Sequence, residues 1–250
     1  MGALHEGHLS LVHMGQERAD KSVVSIFVNP AQFAPHEDFN TYPREEERDF
    51  AALRQATVDL VFAPNVDEIY PENHPTKVEV QGIRQLLEGQ FRPQFFIGVA
   101  TFVAKLLIQG MPDLALFGEK DYQQLCVIGA MARDLDLPVD VLGGETIRES
   151  DGLAMSSRNA YLSNTERALA PRLYQEITAI ADQIHAGADI DDVCAAASKG
   201  LSDSGFKAID YIVVKDADTL EDPMPGRPMR VLAAAGLGRT RLIDNIAVPT

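Results

Sequence analysis

Four short apolar runs recur along the first 150 residues: SVVSIFV (22–28), VDLVFA (58–63), DLALF (113–117) and PVDVLG (138–143). Runs of this length without polar alternation suit parallel strands buried on both faces. The stretches 9–20, 45–55, 99–109 and 122–134 between them repeat apolar residues at helical spacing. Strands alternating with helices predict an α/β fold built on a doubly wound parallel sheet.

The pattern changes near Arg148, where ESDGLAMSSRNAYLSNTER leads into Ala-rich helical stretches near 165–185 and 189–204. Two more strand candidates follow, AIDYIVV (208–214) and MRVLAAA (229–235), separated by the turn-rich EDPMPGRP. This reads as two domains, 1–146 and a smaller α+β domain over 147–250. His5 and His8 occupy a loop that should follow the sheet's first, central strand, yet no strand precedes them. The expectation is that Met1 is an internal methionine of a longer protein and that the first strand is missing.

At 46% hydrophobic and 24% charged, the chain has an ordinary globular composition. No apolar run reaches the roughly 18 residues of a membrane-spanning helix. The opening MGALHEGHLS has neither the basic nor the apolar part of a secretory signal. Cys126 and Cys194 lie in apolar helical patterns outside any C-x-x-C, which suits buried thiols in a reducing cytoplasm. The net charge of −15 disfavours nucleic acid and anionic lipid as partners. An anionic substrate must therefore meet a local basic cluster.

Four segments carry candidate binding chemistry. His5-Glu6-Gly7-His8 places two imidazoles at a helix N-terminus, where unpaired N–H groups favour phosphate; a metal site or two surface histidines stay open as alternatives. Gly118, Lys120, Asp121 and Gln124 stand at a strand-to-helix junction, the usual ligand position in open α/β sheets. A solvated charged turn is the alternative there. In Asp151–Asn159, Ser156, Ser157 and Arg158 could close on a triphosphate, with a polar linker as the alternative. Asn29 and Gln32, in FVNPAQF, offer neutral polar contacts for a small hydroxylated acid, or simply a capping turn around Pro30.

Taken in order, H-x-G-H, N-P-x-Q-F, F-G-E-K-D-x-Q-Q and D-G-L-A-M-S-S-R-N resemble the pantothenate synthetase family over essentially the whole chain. Tyr42-Pro43-Arg44, Ile69-Tyr70-Pro71, Ala217-Asp218-Thr219-Leu220 and Arg241-Leu242-Ile243-Asp244-Asn245 extend the resemblance. It implies a Rossmann-like fold of the nucleotidyltransferases that share a HIGH-type loop and a KMSKS-type lid with class I aminoacyl-tRNA synthetases. One departure is visible: Phe95 stands where the family carries a histidine, and Ile97 where arginine is frequent.

The resemblance further implies a cytoplasmic homodimer that condenses pantoate with β-alanine, using ATP and Mg²⁺, through a pantoyl adenylate. His5, His8 and Lys120 would be catalytic. ATP would meet these three together with Gly118, Asp121, Ile147, Met155, Ser156, Ser157 and Arg158. Pantoate would meet Met1, Asn29, Gln32, Tyr42 and Gln124, and Asp49 is the one protein-side candidate for Mg²⁺. Two rivals remain: a nucleotidyltransferase acting on a phosphate acceptor, and an inactive, truncated nucleotide-binding paralogue.

Overall fold

A computed structural model describes residues 2–34, 37 and 39–249. By its internal contacts the chain divides into two compact units, Met1–Glu145 and Thr146–Thr250.

The first unit runs α1 (Glu6–Gln16), β1 (Val23–Ser25), α2 (Glu46–Gln55), β2 (Leu60–Phe62), α3 (Val66–Ile69), α4 (Glu88–Phe91), α5 (Phe95–Gly110), β3 (Leu114–Gly118), α6 (Tyr122–Asp134) and β4 (Asp140–Gly144). Single 3-10 turns occur at Pro30–Gln32, Ile83–Gln85 and Glu119–Asp121. β1 pairs with β2 and β3 with β4, both in parallel. Among the described residues these are two separate pairs, with no strand joining them. Helix α1 touches both. Its Leu11 and Gly15 lie against Gly144 and Leu116 of the second pair. Val12 and Leu9 join Val24, Ile26, Leu53 and Val61 on the side of the first pair.

Strands β1 and β2 are shorter than their apolar runs, although the N–H of Ile26 still donates to Phe62 O at 2.9 Å. Phe27, just past β1, stacks on Phe102 of α5 with ring centroids 4.8 Å apart. α5 is apolar apart from Thr101, Lys105 and Gln109, and Phe96, Val99, Ala100, Val103, Ala104 and Leu107 are all buried. It begins at Phe95, earlier than its periodicity suggested, and ends at Met111 in the left-handed region (φ 42°) just before Pro112.

The second unit contains a 3-10 turn (Ser157–Tyr161), then α7 (Asn164–Leu169), α8 (Arg172–His185), α9 (Ile190–Asp203), β5 (Ala208–Asp216), β6 (Met229–Leu237) and β7 (Thr240–Ala247). The first Ala-rich stretch is split in two, since Pro171 cannot continue the hydrogen-bond ladder of α7. The strands form an antiparallel sheet in the order β5-β6-β7. Strand β7 was not expected, because the polar Asp244-Asn245 pair interrupts its apolar pattern. Central β6 carries Ala233, Ala234 and Ala235, all buried. Their small side chains leave room for Leu173, Ile177 and Ile180 of α8 and Val193, Ala197 and Leu201 of α9, in one core with Ala233 and Ala235. Cys126 and Cys194 are only partly buried, a correction to the expectation of fully enclosed thiols. Cys194 packs against the core of its unit.

Candidate functional site

The H-x-G-H loop begins α1, and its histidines are part of the cap. The N–H of Gly7 donates to His5 Nδ1 at 3.1 Å, and the N–H of His5 donates to His8 Nδ1 at 3.3 Å. This is a capping box made from two imidazoles. Because each Nδ1 accepts, each neutral ring carries its proton on Nε2. Burial lowers the pKa of His8 to about 3, with the neighbouring His5 adding to the effect. Burial, and then the Lys120 ammonium, lower that of His5 as well. Both rings are therefore neutral donors near pH 7, with centroids 4.1 Å apart. Each Nδ1 is engaged by backbone, and among the described residues no group of three or more His, Cys, Asp or Glu is gathered to hold an ion.

The loop is fixed from below by Asp49 of α2, whose side chain is almost wholly buried. Its two oxygens accept from the N–H groups of Ala3 and Leu4, at 2.8 and 2.7 Å. Asp49 was expected to face Mg²⁺. In the structure its carboxylate holds the loop backbone with one hydrogen bond to each oxygen, and each oxygen keeps a further lone pair.

Lys120 and Asp121 follow Gly118 at the end of β3, with Lys120 Nζ 3.9 Å from Asp121 Oδ1. After burial, the Lys120 ammonium lowers the pKa of His5 and the Asp121 carboxylate raises it. Asp121 occupies the N-cap position of α6, yet its side chain makes no capping bond. Gly118 has an ordinary extended backbone (φ −71°, ψ 133°), and a Cβ there would meet nothing within 4 Å. The fold itself does not demand glycine at that point, so the open space is available to a ligand.

The N-P-A-Q-F turn sits at the end of the run that contains β1. Asn29 is buried, and its amide is already committed: Oδ1 accepts from Tyr70 Oη at 2.8 Å and from Ala31 N at 3.1 Å, and Nδ2 donates to Gly98 O at 3.1 Å. Asn29 therefore braces the turn that carries Gln32. Gln32 is buried in the same turn, and its carbonyl accepts from Arg92 Nη2 at 2.9 Å. Arg92 also clasps Glu37 through Nε and Nη2, at 2.6 and 2.8 Å, and lies over the Phe95 ring, 4.0 Å from its centroid. Phe95, where the family has histidine, thus supports Arg92 through a cation–π contact. Tyr42 is buried edge-on against Phe33. Gln124 lies on α6, partly buried; its neighbour Gln123 is the enclosed one, tied to Glu88 N, Ile83 O and Leu86 O. Met1 lies outside the described residues.

In the second unit Ile147 and Met155 face each other across a short hairpin, the N–H of Met155 donating to Ile147 O at 2.9 Å. Ser156 follows at once and caps the next turn, its Oγ accepting from Arg158 N at 3.3 Å. Ser157 and Arg158 open that turn. Four of the expected ATP contacts are thereby held consecutively behind a paired backbone.

The profile described as pantoate-beta-alanine ligase matches residues 1–247. The chain belongs to the pantoate–β-alanine ligase family. It is 58% identical over 249 residues to the pantothenate synthetase of Paramagnetospirillum magneticum, covering 99% of this chain and 88% of that protein. The corresponding identity to the pantothenate synthetase of Mesorhizobium japonicum is 53% over 249 residues, covering 100% of this chain and 88% of the relative. Among solved structures, pantothenate synthetase from Thermus thermophilus superposes with a TM-score of 0.95 at 45% identity, over 100% of this chain and 91% of that one. The Francisella tularensis pantoate-beta-alanine ligase, solved with beta-gamma ATP and beta-alanine, gives a TM-score of 0.84 at 33% identity, over 100% of this chain and 88% of that one. Membership makes this chain a pantoate–β-alanine ligase, and a parallel α/β unit together with an antiparallel one is the family's fold.

Proposed function

We propose that the chain joins pantoate to β-alanine in two half-reactions at the residues described above. A carboxylate oxygen of pantoate attacks the α-phosphorus of ATP, and the bond to the β-phosphate oxygen breaks with its electron pair leaving on pyrophosphate. The β-alanine amine then attacks the acyl carbon of the pantoyl adenylate. AMP departs with the acyl–oxygen electron pair, and the amine loses its proton to solvent. No covalent enzyme intermediate is needed, so the protein contributes position and charge stabilisation.

The observation that carries this reading is the pair of imidazoles locked by backbone into their Nε2–H tautomers, next to Lys120. Neutral donors fixed before the reaction stabilise developing phosphate charge without reorganising. Lys120, Ser156, Ser157 and Arg158 hold the outer phosphates, Gly118 and Asp121 admit and seat the ribose, and Ile147 and Met155 border the nucleotide. Gln32 and Gln124 bind pantoate, with Tyr42 beside them and Asn29 bracing Gln32. In this division residues 1–146 bind nucleotide and pantoate, and 147–250 contribute the Ser-Ser-Arg turn. Mg²⁺ enters as part of the MgATP substrate, since it prefers phosphate oxygens and water to a protein cage. A cytoplasmic homodimer completes the reading by analogy with the family.

The test is pantoate-dependent exchange of pyrophosphate into ATP, followed by AMP release on adding β-alanine. Exchange that needs no pantoate, or that a phosphate ester supports instead, would replace this reading with the nucleotidyltransferase rival. ATP binding without exchange would replace it with the inactive paralogue.

A further inference from the structure

Arg148 has no part in the reaction as described, yet its guanidinium is closely engaged within the second unit. Its guanidinium grips Asp244 of β7 with two parallel bonds, Nη1 to Oδ2 at 2.6 Å and Nη2 to Oδ1 at 2.9 Å. Nη1 also donates to Gly152 O at 3.1 Å, and the plane lies over the Tyr174 ring of α8, 3.8 Å from its centroid. The pair is enclosed, with side-chain exposures of 17% and 3%. Forked contacts of this kind fix orientation as well as distance.

What Arg148 anchors is the hairpin that leads into the Ser-Ser-Arg turn. Arg148 and Ala154 form its bridge, flanked by bonds from Glu149 N to Leu153 O and from Met155 N to Ile147 O, at 2.8 and 2.9 Å. Asn159 Nδ2 donates back to Ala154 O at 3.0 Å. The strand that ends in Ser156 is thus bonded on one side to a backbone that Arg148 pins to β7 and α8.

We infer that Arg148, held by Asp244, is a positioning residue for the 156–158 turn, setting where Ser156, Ser157 and Arg158 meet the ATP phosphates. This rests on the reading of that turn as phosphate-binding. Its consequence is specific: loosening the fork weakens ATP handling and leaves pantoate handling intact.

The experiment measures initial rates of pyrophosphate exchange for the full chain, varying ATP and pantoate separately, with Arg148→Lys, Arg158→Gln and the double variant. Arg148→Lys keeps the charge and loses the fork. The expected result is a rise of about tenfold in KM for ATP, with KM for pantoate unchanged. The double variant should be no worse than Arg158→Gln alone, because Arg148 acts through that turn. A folded Arg148→Lys protein with unchanged ATP kinetics overturns the inference, as does strict additivity in the double variant. If Arg148→Lys does not fold, Asp244→Asn, which keeps one acceptor, takes its place under the same criteria. Failure of the underlying reading looks different: Arg158→Gln itself would then leave ATP kinetics unchanged.

Discussion

The backbone of His5 fixes the tautomer of His8: the N–H of His5 donates to His8 Nδ1, while His5 Nδ1 is itself occupied by the N–H of Gly7. The helix cap and the proposed phosphate donors are the same two rings. Replacement by alanine would confuse the two roles. Glutamine at position 8 separates them, since it is a common partner at that place in a capping box. His8→Gln should keep the fold, with melting little changed, and lower pyrophosphate exchange by about 100- to 1000-fold, the usual loss for one oxyanion-type donor. Near-normal exchange in a folded His8→Gln protein would remove His8 from the chemistry.

The buried imidazole also makes stability depend on pH with a definite sign. In the unfolded chain His8 takes up a proton near its ordinary 6.5, whereas in the folded protein burial delays this to about 3. Between those values the unfolded state binds more protons, so stability is full above pH 6.5 and is lost as pH falls towards 3. Going from pH 7 to pH 5 should cost about 2 kcal/mol through this residue. Urea unfolding at the two pH values, compared between the unmodified chain and His8→Gln, isolates the contribution. An equal loss in both proteins would show that His8 is not its source.

Asp49 supports the same loop from beneath, accepting from Ala3 and Leu4. Asp49→Asn keeps the shape but turns one acceptor into a donor facing an N–H. Leaving a buried donor unpaired costs about 1–3 kcal/mol. Stability and exchange rate should both fall, while the Mg²⁺ concentration giving half-maximal rate stays the same. A shift in that concentration would restore Asp49 as a metal ligand.

How far the sequence alone reached follows from what kind of information each feature needs. The parallel strands and the helices between them were legible, because the strands carry continuous apolar runs and helices write their period, although Val23 and Leu60 are largely exposed. The H-x-G-H and S-S-R segments were legible because their residue types cluster locally. Pairings across long separations were not. Arg148 meets Asp244 across 96 positions, and nothing near either residue announces the other. The Gln123-Gln124 pair shows a second limit: neighbours on a helix point about 100° apart, and only the packing of the Ile83–Gln85 turn reveals that Gln123 faces inward. Asn29 and Asp49 show a third. Polar residues near a site look alike in sequence whether they meet ligand or hold backbone, and only their hydrogen-bond partners separate the two.

Gly118 offers a prediction in which stability and activity move in opposite directions. Its backbone is one alanine adopts freely, and the added Cβ meets no protein atom within 4 Å. Gly118→Ala should therefore hold or raise stability, by up to about 1 kcal/mol, through the unfolded chain. If the nucleotide approaches this backbone, the same methyl intrudes on it, and KM for ATP should rise about tenfold, within the cost of overpacking a close contact. Unchanged ATP kinetics would move the ribose site elsewhere.

Gly98 differs because here the protein itself fills the space. A Cβ on this residue of α5 would lie 2.3 Å from the carbonyl oxygen of Ala31, in the turn that carries Gln32. Asn29 already ties that turn to the carbonyl of Gly98. Alanine improves helix propensity by about 1 kcal/mol, but backbone cannot yield as a flexible side chain would. The clash should win, with a net loss of about 1–3 kcal/mol. Because the turn must shift to relieve it, Gly98→Ala should raise KM for pantoate more than KM for ATP. Equal effects on both substrates would mean that Gln32 does not touch the acid.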